Sequence, residues 1–106
     1  MPKKPRPRAQ RRQQERDLAK LRAARERLFL LERGGSPERP LAIASAAVVE
    51  VHAESVPCPL CGGRQQVSEH VAVTVQGVRL REARLLCRQC GSRRSLWFHI
   101  ADAGPN

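Results

Sequence analysis

Four cysteines fall in this chain as two matched pairs, Cys58-Pro-Leu-Cys61-Gly62 and Cys87-Arg-Gln-Cys90-Gly91, with 25 residues between them. Each pair is C-x₂-C followed by glycine. A tetrahedral divalent zinc takes four soft ligands, and two short loops that each give two thiolates supply them. Glycine after the second cysteine lets the backbone turn tightly, so that main-chain N–H groups can face the sulfurs. Pro59 stiffens the first loop. The competing use of such pairs is two disulfides, which need an oxidising compartment and usually a signal peptide. The N-terminus does not read as one, because charged residues stand where an apolar stretch should follow the basic start. The spacing therefore predicts one zinc on Cys58, Cys61, Cys87 and Cys90. With four protein ligands the ion is structural rather than catalytic.

The rest of the composition agrees with a metal-held fold. Phe29, Trp97 and Phe98 are the only aromatic residues, too few to build a large core. Small domains with thin cores commonly rely on a metal or a crosslink. Metal binding then becomes most of the folding free energy of the C-terminal part.

Charge is unevenly distributed. Residues 1–40 hold 13 Lys and Arg against five acids, a balance of +8, whereas residues 41–106 hold seven against five, or +2. Four thiolates and a zinc ion subtract two more, which leaves the C-terminal module near neutral. A one-sided field of this kind points to a polyanionic partner, with nucleic acid first and an anionic membrane surface second. No apolar run approaches the ~18 residues of a membrane span. An Arg-rich transit peptide fits poorly with Glu15 and Asp17. A cytoplasmic location with no membrane association is the simplest reading.

Three regions follow. Residues 1–12 carry Lys3, Lys4, Arg6, Arg8, Arg11 and Arg12 with three prolines and no acid, and they read as a disordered basic arm able to contact phosphates. The bland alternative is a solubilising tail. Residues 9–33 read as one long helix ended by Gly34-Gly35, with Leu21, Ala24, Leu28 and Leu31 as a narrow apolar stripe that Leu18 extends. The stripe can pair with a partner helix or a second copy, dock on the chain's own domain, or leave the helix free to lie on nucleic acid. Residues 34–44 read as a linker that lets helix and module move independently.

From residue 45 to 101 the pattern is strand-like. Ala47, Val49, Val51 and Ala53 alternate before the first cysteine pair. Val67, Val71, Val73 and Val75 share one face, with His70 and Thr74 on the other. Gln76-Gly77 suits a hairpin turn. Val78 and Leu80 return, and a bulge near Arg81-Glu82 is needed to bring Leu85 and Cys87 into phase. Leu96, Phe98 and Ile100 make a last strand. Residues 102–106 are a tail.

Two CxxCG loops joined by a β-hairpin resemble a zinc ribbon. The resemblance implies a small metal-stabilised β module of three to four antiparallel strands, with the four cysteines as ligands. The spacing, and Trp97-Phe98 after Cys90-Gly91, are similar to ribbons of transcription elongation factors and small RNA-polymerase subunits. In the elongation-factor type an acidic pair at the hairpin tip helps to place a catalytic magnesium. Here the tip is Gln76-Gly77-Val78-Arg79 with Glu82 alone nearby, so RNA cleavage is not implied. The Cys58-Pro-Leu-Cys61-Gly-Gly opening also resembles the zinc domains of certain bacterial antitoxins, whose helix-turn-helix has no counterpart here.

Enzymatic function is not expected. The cysteines are taken by metal, there is no tyrosine, and His52, His70 and His99 each read as half-exposed sheet residues. No small-molecule substrate is implied. A module binding nucleic acid, alone or within a polymerase or ribonucleoprotein assembly, is the first reading. A protein-interaction scaffold using ribbon and helix stripe is the second. Arg79, Arg81, Arg84, Arg88, Arg93 and Arg94 could extend a basic surface, form a solvated face, or balance the thiolate charge. Trp97 reads as core, with base stacking as the alternative.

Overall fold

The computed structural model describes residues 7–101. Helix α1 (Pro7–Leu31) leads into strand β1 (Leu41–Ile43), a 3-10 turn (Ala46–Val48) and helix α2 (Val49–Ser55). Strands β2 (Gln65–Val75), β3 (Val78–Cys87) and β4 (Arg93–Ile100) follow. One sheet of order β1-β4-β3-β2 contains all four strands. The three long strands are antiparallel as expected, while β1 is an added parallel edge on β4.

Among the described residues helix α1 includes Pro7 and Arg8 as well as the chain from Ala9 onward. Arg8, Arg11 and Arg12 are therefore helical residues and not part of a disordered arm. Lys3, Lys4 and Arg6 lie outside the described residues. The helix ends where Gly34 takes a left-handed φ of 91°. At Gly35 the chain passes so close to the helix that a Cβ would sit 1.9 Å from the Phe29 carbonyl oxygen. The Arg39 guanidinium donates to the freed Leu31 carbonyl at 2.8 Å.

The expected flexible linker is instead tied to the sheet. The Trp97 N–H donates to the Gly34 carbonyl at 2.8 Å, and Leu41, Ala42 and Ile43 pair with Phe98, His99 and Ile100. A second correction concerns residues 47–53, which are not a strand. Val49 and Ala53 are buried and Val51 is exposed, the pattern of a helix face. His52 accordingly sits on α2, its ring edge-on to Phe98 at 5.6 Å.

Gln76 and Gly77 both adopt positive φ, 49° and 79°, as a two-residue hairpin turn between β2 and β3 requires. The bulge lies elsewhere than expected. Strand β3 pairs with β4 without interruption from Arg81 to Leu86, and the register slip falls on β2 between Val67 and Glu69. The Val67 N–H at this slip donates to the Glu54 carboxylate at 3.0 Å. The slip also separates the valines. Val67 pairs with Leu85, while Val71 and Val73 pair with Glu82 and Leu80 on the opposite sheet face.

The core gathers Phe29, Ile43, Val49, Ala53, Ala83, Leu85, Leu96 and Phe98 from α1, β1, α2, β3 and β4. Phe98, rather than Trp97, is the fully buried aromatic of β4. Trp97 is half-buried beside Glu82 on the other face. Phe29 is the only buried side chain of α1, and residues 7–23 are exposed throughout.

Candidate metal centre

Two adjacent strands create the site. Strand β2 leaves the first cysteine loop at Gln65, β3 enters the second at Cys87, and these two residues are register partners. The hairpin therefore sets the loops side by side, and the Arg88 N–H joins them by donating to the Arg64 carbonyl at 2.8 Å.

The loops are built alike. The Cys58 N–H donates to Gly63 O at 2.9 Å and Gly62 N–H to Cys58 O at 2.7 Å. In the second loop Cys87 N–H donates to Ser92 O at 2.9 Å and Gly91 N–H to Cys87 O at 3.0 Å. Gly62 and Gly91 turn the chain with φ of 75° and 76°, the role expected of them. Main-chain N–H groups do face sulfur: Gly63 to Cys61 at 3.3 Å, Gln89 and Cys90 to Cys87 at 3.4 Å each.

The four Sγ atoms all lie within 4.8 Å of one another. Cys61 and Cys87 sulfurs are 3.4 Å apart, and those of Cys58 and Cys90 are 3.7 Å apart. A tetrahedron of thiolates at ~2.3 Å from a central ion has edges of about 3.8 Å, so the donor set fits a metal ion. Among the described residues no other group of three or more His, Cys, Asp or Glu comes together in this way. His52 on α2, His70 on β2 and His99 on β4 do not form a second site, although His70 Nε2 is buried without a hydrogen-bond partner.

Charge around the sulfurs is asymmetric. Hydrogen bonds from the Ser92 side chain and backbone pull the Cys90 thiol down to about 6. Burial pushes the Cys58 thiol up, but Ser92 and the backbone of Cys61 and Leu60 outweigh it, and the net shift is downward. For Cys61 the Gly63 N–H favours thiolate, yet burial and the neighbouring Cys87, Cys90 and Cys58 prevail and push it up to about 12.

Metal uptake must displace the Cys61 proton, and protons oppose it throughout the neutral range. Affinity should therefore rise at least about tenfold per pH unit between pH 6 and 8, and more steeply below 6 where Cys90 also protonates. Chelator competition at stepped pH measures this slope.

Beyond the sulfurs, Ser92 Oγ lies 3.5 Å from Cys58 Sγ and 3.1 Å from Cys90 Sγ. Arg94 reaches Ser92 Oγ at 2.6 Å and Cys58 Sγ at 3.7 Å. Of the seven arginines in residues 41–106, Arg94 alone is buried; Arg84 pairs with Glu69 at 2.6 Å on the surface. The Glu82 carboxylate accepts from Ser95 Oγ at 2.5 Å and lies 3.6 Å from Arg84, inside the strand network. Sequence reading missed Phe29, Glu26 and Arg25 as parts of this neighbourhood. Arg25 donates to the Leu60 carbonyl of the first loop at 2.8 Å.

Comparison with protein-family models, curated proteins and solved structures finds no match to this chain. No helix among the described residues is long and apolar enough to cross a membrane.

Proposed function

We propose that this chain is a non-catalytic zinc-ribbon protein that binds nucleic acid, or an assembly containing it, through its basic N-terminal segment. Zinc is the ion favoured by four thiolates in tetrahedral reach, and with every ligand position filled it holds the fold without offering a site for water. The ribbon supplies a platform. Residues 102–106, expected as a tail, lie outside the described residues.

The observation that carries the functional reading is the state of α1. Its first 17 residues are exposed, and they hold Arg8, Arg11, Arg12, Arg16, Lys20 and Arg22. Ion pairs among the described residues are Arg84 with Glu69 and Glu82, and Arg94 with Glu26, so none engages a cation of α1. A rod of 17 residues spans about 25 Å. Cations along such a rod, with Lys3, Lys4 and Arg6 preceding them in the sequence, suit phosphate contacts that bind without reading bases.

A scaffold is the second reading, favoured by the exposure of Leu18, Leu21, Leu28 and Leu31 on the same helix. Fluorescence anisotropy with labelled duplex DNA and RNA separates the two. Replacing Lys3, Lys4, Arg6, Arg8, Arg11 and Arg12 with Gln should abolish most binding, while Leu21→Asp with Leu28→Asp should leave it nearly unchanged. Unchanged affinity after the six replacements removes the nucleic-acid reading.

A further inference from the structure

The side chain of Arg94 is 2 % exposed, and every nitrogen it has is engaged. Its Nε donates to Gln65 Oε1 at 3.0 Å, beside the first cysteine loop. Nη2 donates to Ser92 Oγ at 2.6 Å and points to Cys58 Sγ at 3.7 Å. Nη1 grips both Glu26 carboxylate oxygens, at 3.1 and 2.9 Å. The guanidinium carbon lies 5.4 Å from the centre of the Phe29 ring. Glu26 and Phe29 belong to α1, Gln65 to β2, and Ser92 to the turn after Cys90.

A buried guanidinium is retained only where its charge is balanced and its donors are satisfied. Two kinds of negative group do this here, the Cys58 sulfur on one side and the Glu26 carboxylate on the other. Ser92 passes the contact on, since its oxygen lies near both Cys58 and Cys90. Lysine could not replace this set, because a single ammonium lacks the planar fork that reaches three directions at once.

We propose that Arg94 is a positioning residue with two simultaneous roles: it orients and charge-balances the thiolate centre, and it anchors the C-terminal end of α1 to that centre. The proposal rests on the reading that the four cysteines hold a metal ion. It assigns the helix a place in the outer shell of the metal site, so that the direction in which the basic rod projects is set from the metal outward.

The full chain is tested as four proteins: unaltered, Arg94→Met, Glu26→Gln and Arg84→Met. Zinc affinity is read by competition with a chromophoric chelator, the ligand field by the absorption of the Co²⁺ form, and anchoring by amide hydrogen exchange at saturating zinc. Arg94→Met should lower zinc affinity roughly 10- to 100-fold, the usual cost of losing an outer-shell partner. It should also shift the thiolate-to-cobalt bands and speed exchange at residues 29–34 by about tenfold or more, while amides of the β2–β3 hairpin keep their protection. Glu26→Gln should speed exchange at 29–34 and leave the cobalt bands in place. Arg84→Met should change none of the three.

Wild-type zinc affinity and an unshifted cobalt spectrum in Arg94→Met would overturn the proposal. So would equal acceleration of hairpin and helix amides, which marks simple destabilisation. Failure of the unaltered chain to take up zinc or cobalt would overturn the metal reading itself, a result distinct from the other two.

Discussion

Cys61→Ser should abolish the folded sheet at neutral pH. Structural zinc in comparable sites contributes an apparent ~10–16 kcal/mol, as much as the whole stability of a typical small domain. The core around Phe98 has eight buried members and two of them are alanine, so it cannot compensate. Loss of one thiolate also leaves Arg94 with less charge against it. Amide protection across β2, β3 and β4 should vanish, and the near-ultraviolet signal of Trp97 with it. Residues 7–23 make no buried contact with the sheet and should change little in helix content. Chelation of the unaltered protein under reducing conditions should reproduce the result, and added zinc should reverse it. A Cys61→Ser chain that keeps wild-type amide protection would contradict the metal-held fold.

The second large effect belongs to Phe29. It is 5 % exposed, the one buried anchor of a 25-residue helix, and it lies under the Arg94 guanidinium. Phe29→Ala should destabilise the protein by about 3–5 kcal/mol, the usual cost of emptying an aromatic core site. Leu28, its neighbour, is 60 % exposed, and Leu28→Ala should cost under about 1 kcal/mol. Urea midpoints on the zinc-loaded proteins measure both. Equal effects at the two positions would mean that the helix docks on its leucine stripe instead.

That pair of positions also marks the limit of what the sequence made legible. Stripe periodicity selected Leu21, Leu28 and Leu31, which the fold leaves in solvent, and passed over Phe29. A helical wheel reports that one face is apolar, but not which face meets a surface formed much later in the chain. Glu26 and Arg94 are 68 residues apart, and no local pattern links them. The cysteine loops were readable because their chemistry is local: spacing, a following glycine and a hairpin between. The Gln76-Gly77 turn was readable for the same reason.

Residues 47–53 misled because Val49 and Ala53 are four apart, a separation common to a strand face and a helix face. The exposed Val51 between them decides for helix, and exposure is a tertiary fact. Strand β1 has only three residues, too short for alternation to register, and it exists through its pairing with β4. The slip in β2 sits at Ser68, opposite the strand where the phase change was sought. A phase change in one strand of a pair is satisfied equally by an extra residue in its partner.

The central claim is that the basic N-terminal segment binds nucleic-acid phosphates from a metal-held platform, and its salt dependence tests this most directly. Affinity of the full zinc-loaded chain for a duplex is measured by anisotropy from low to high salt. If Lys3, Lys4, Arg6, Arg8, Arg11 and Arg12 all meet phosphates, the log–log slope should approach roughly −5, at about −0.9 per contact, with little dependence on base sequence. Replacing the six with Gln should remove most of the slope, leaving only what Arg16, Lys20 and Arg22 contribute, while hairpin amide protection stays intact. Absence of binding at low salt, or a slope unchanged by the six replacements, would contradict this reading.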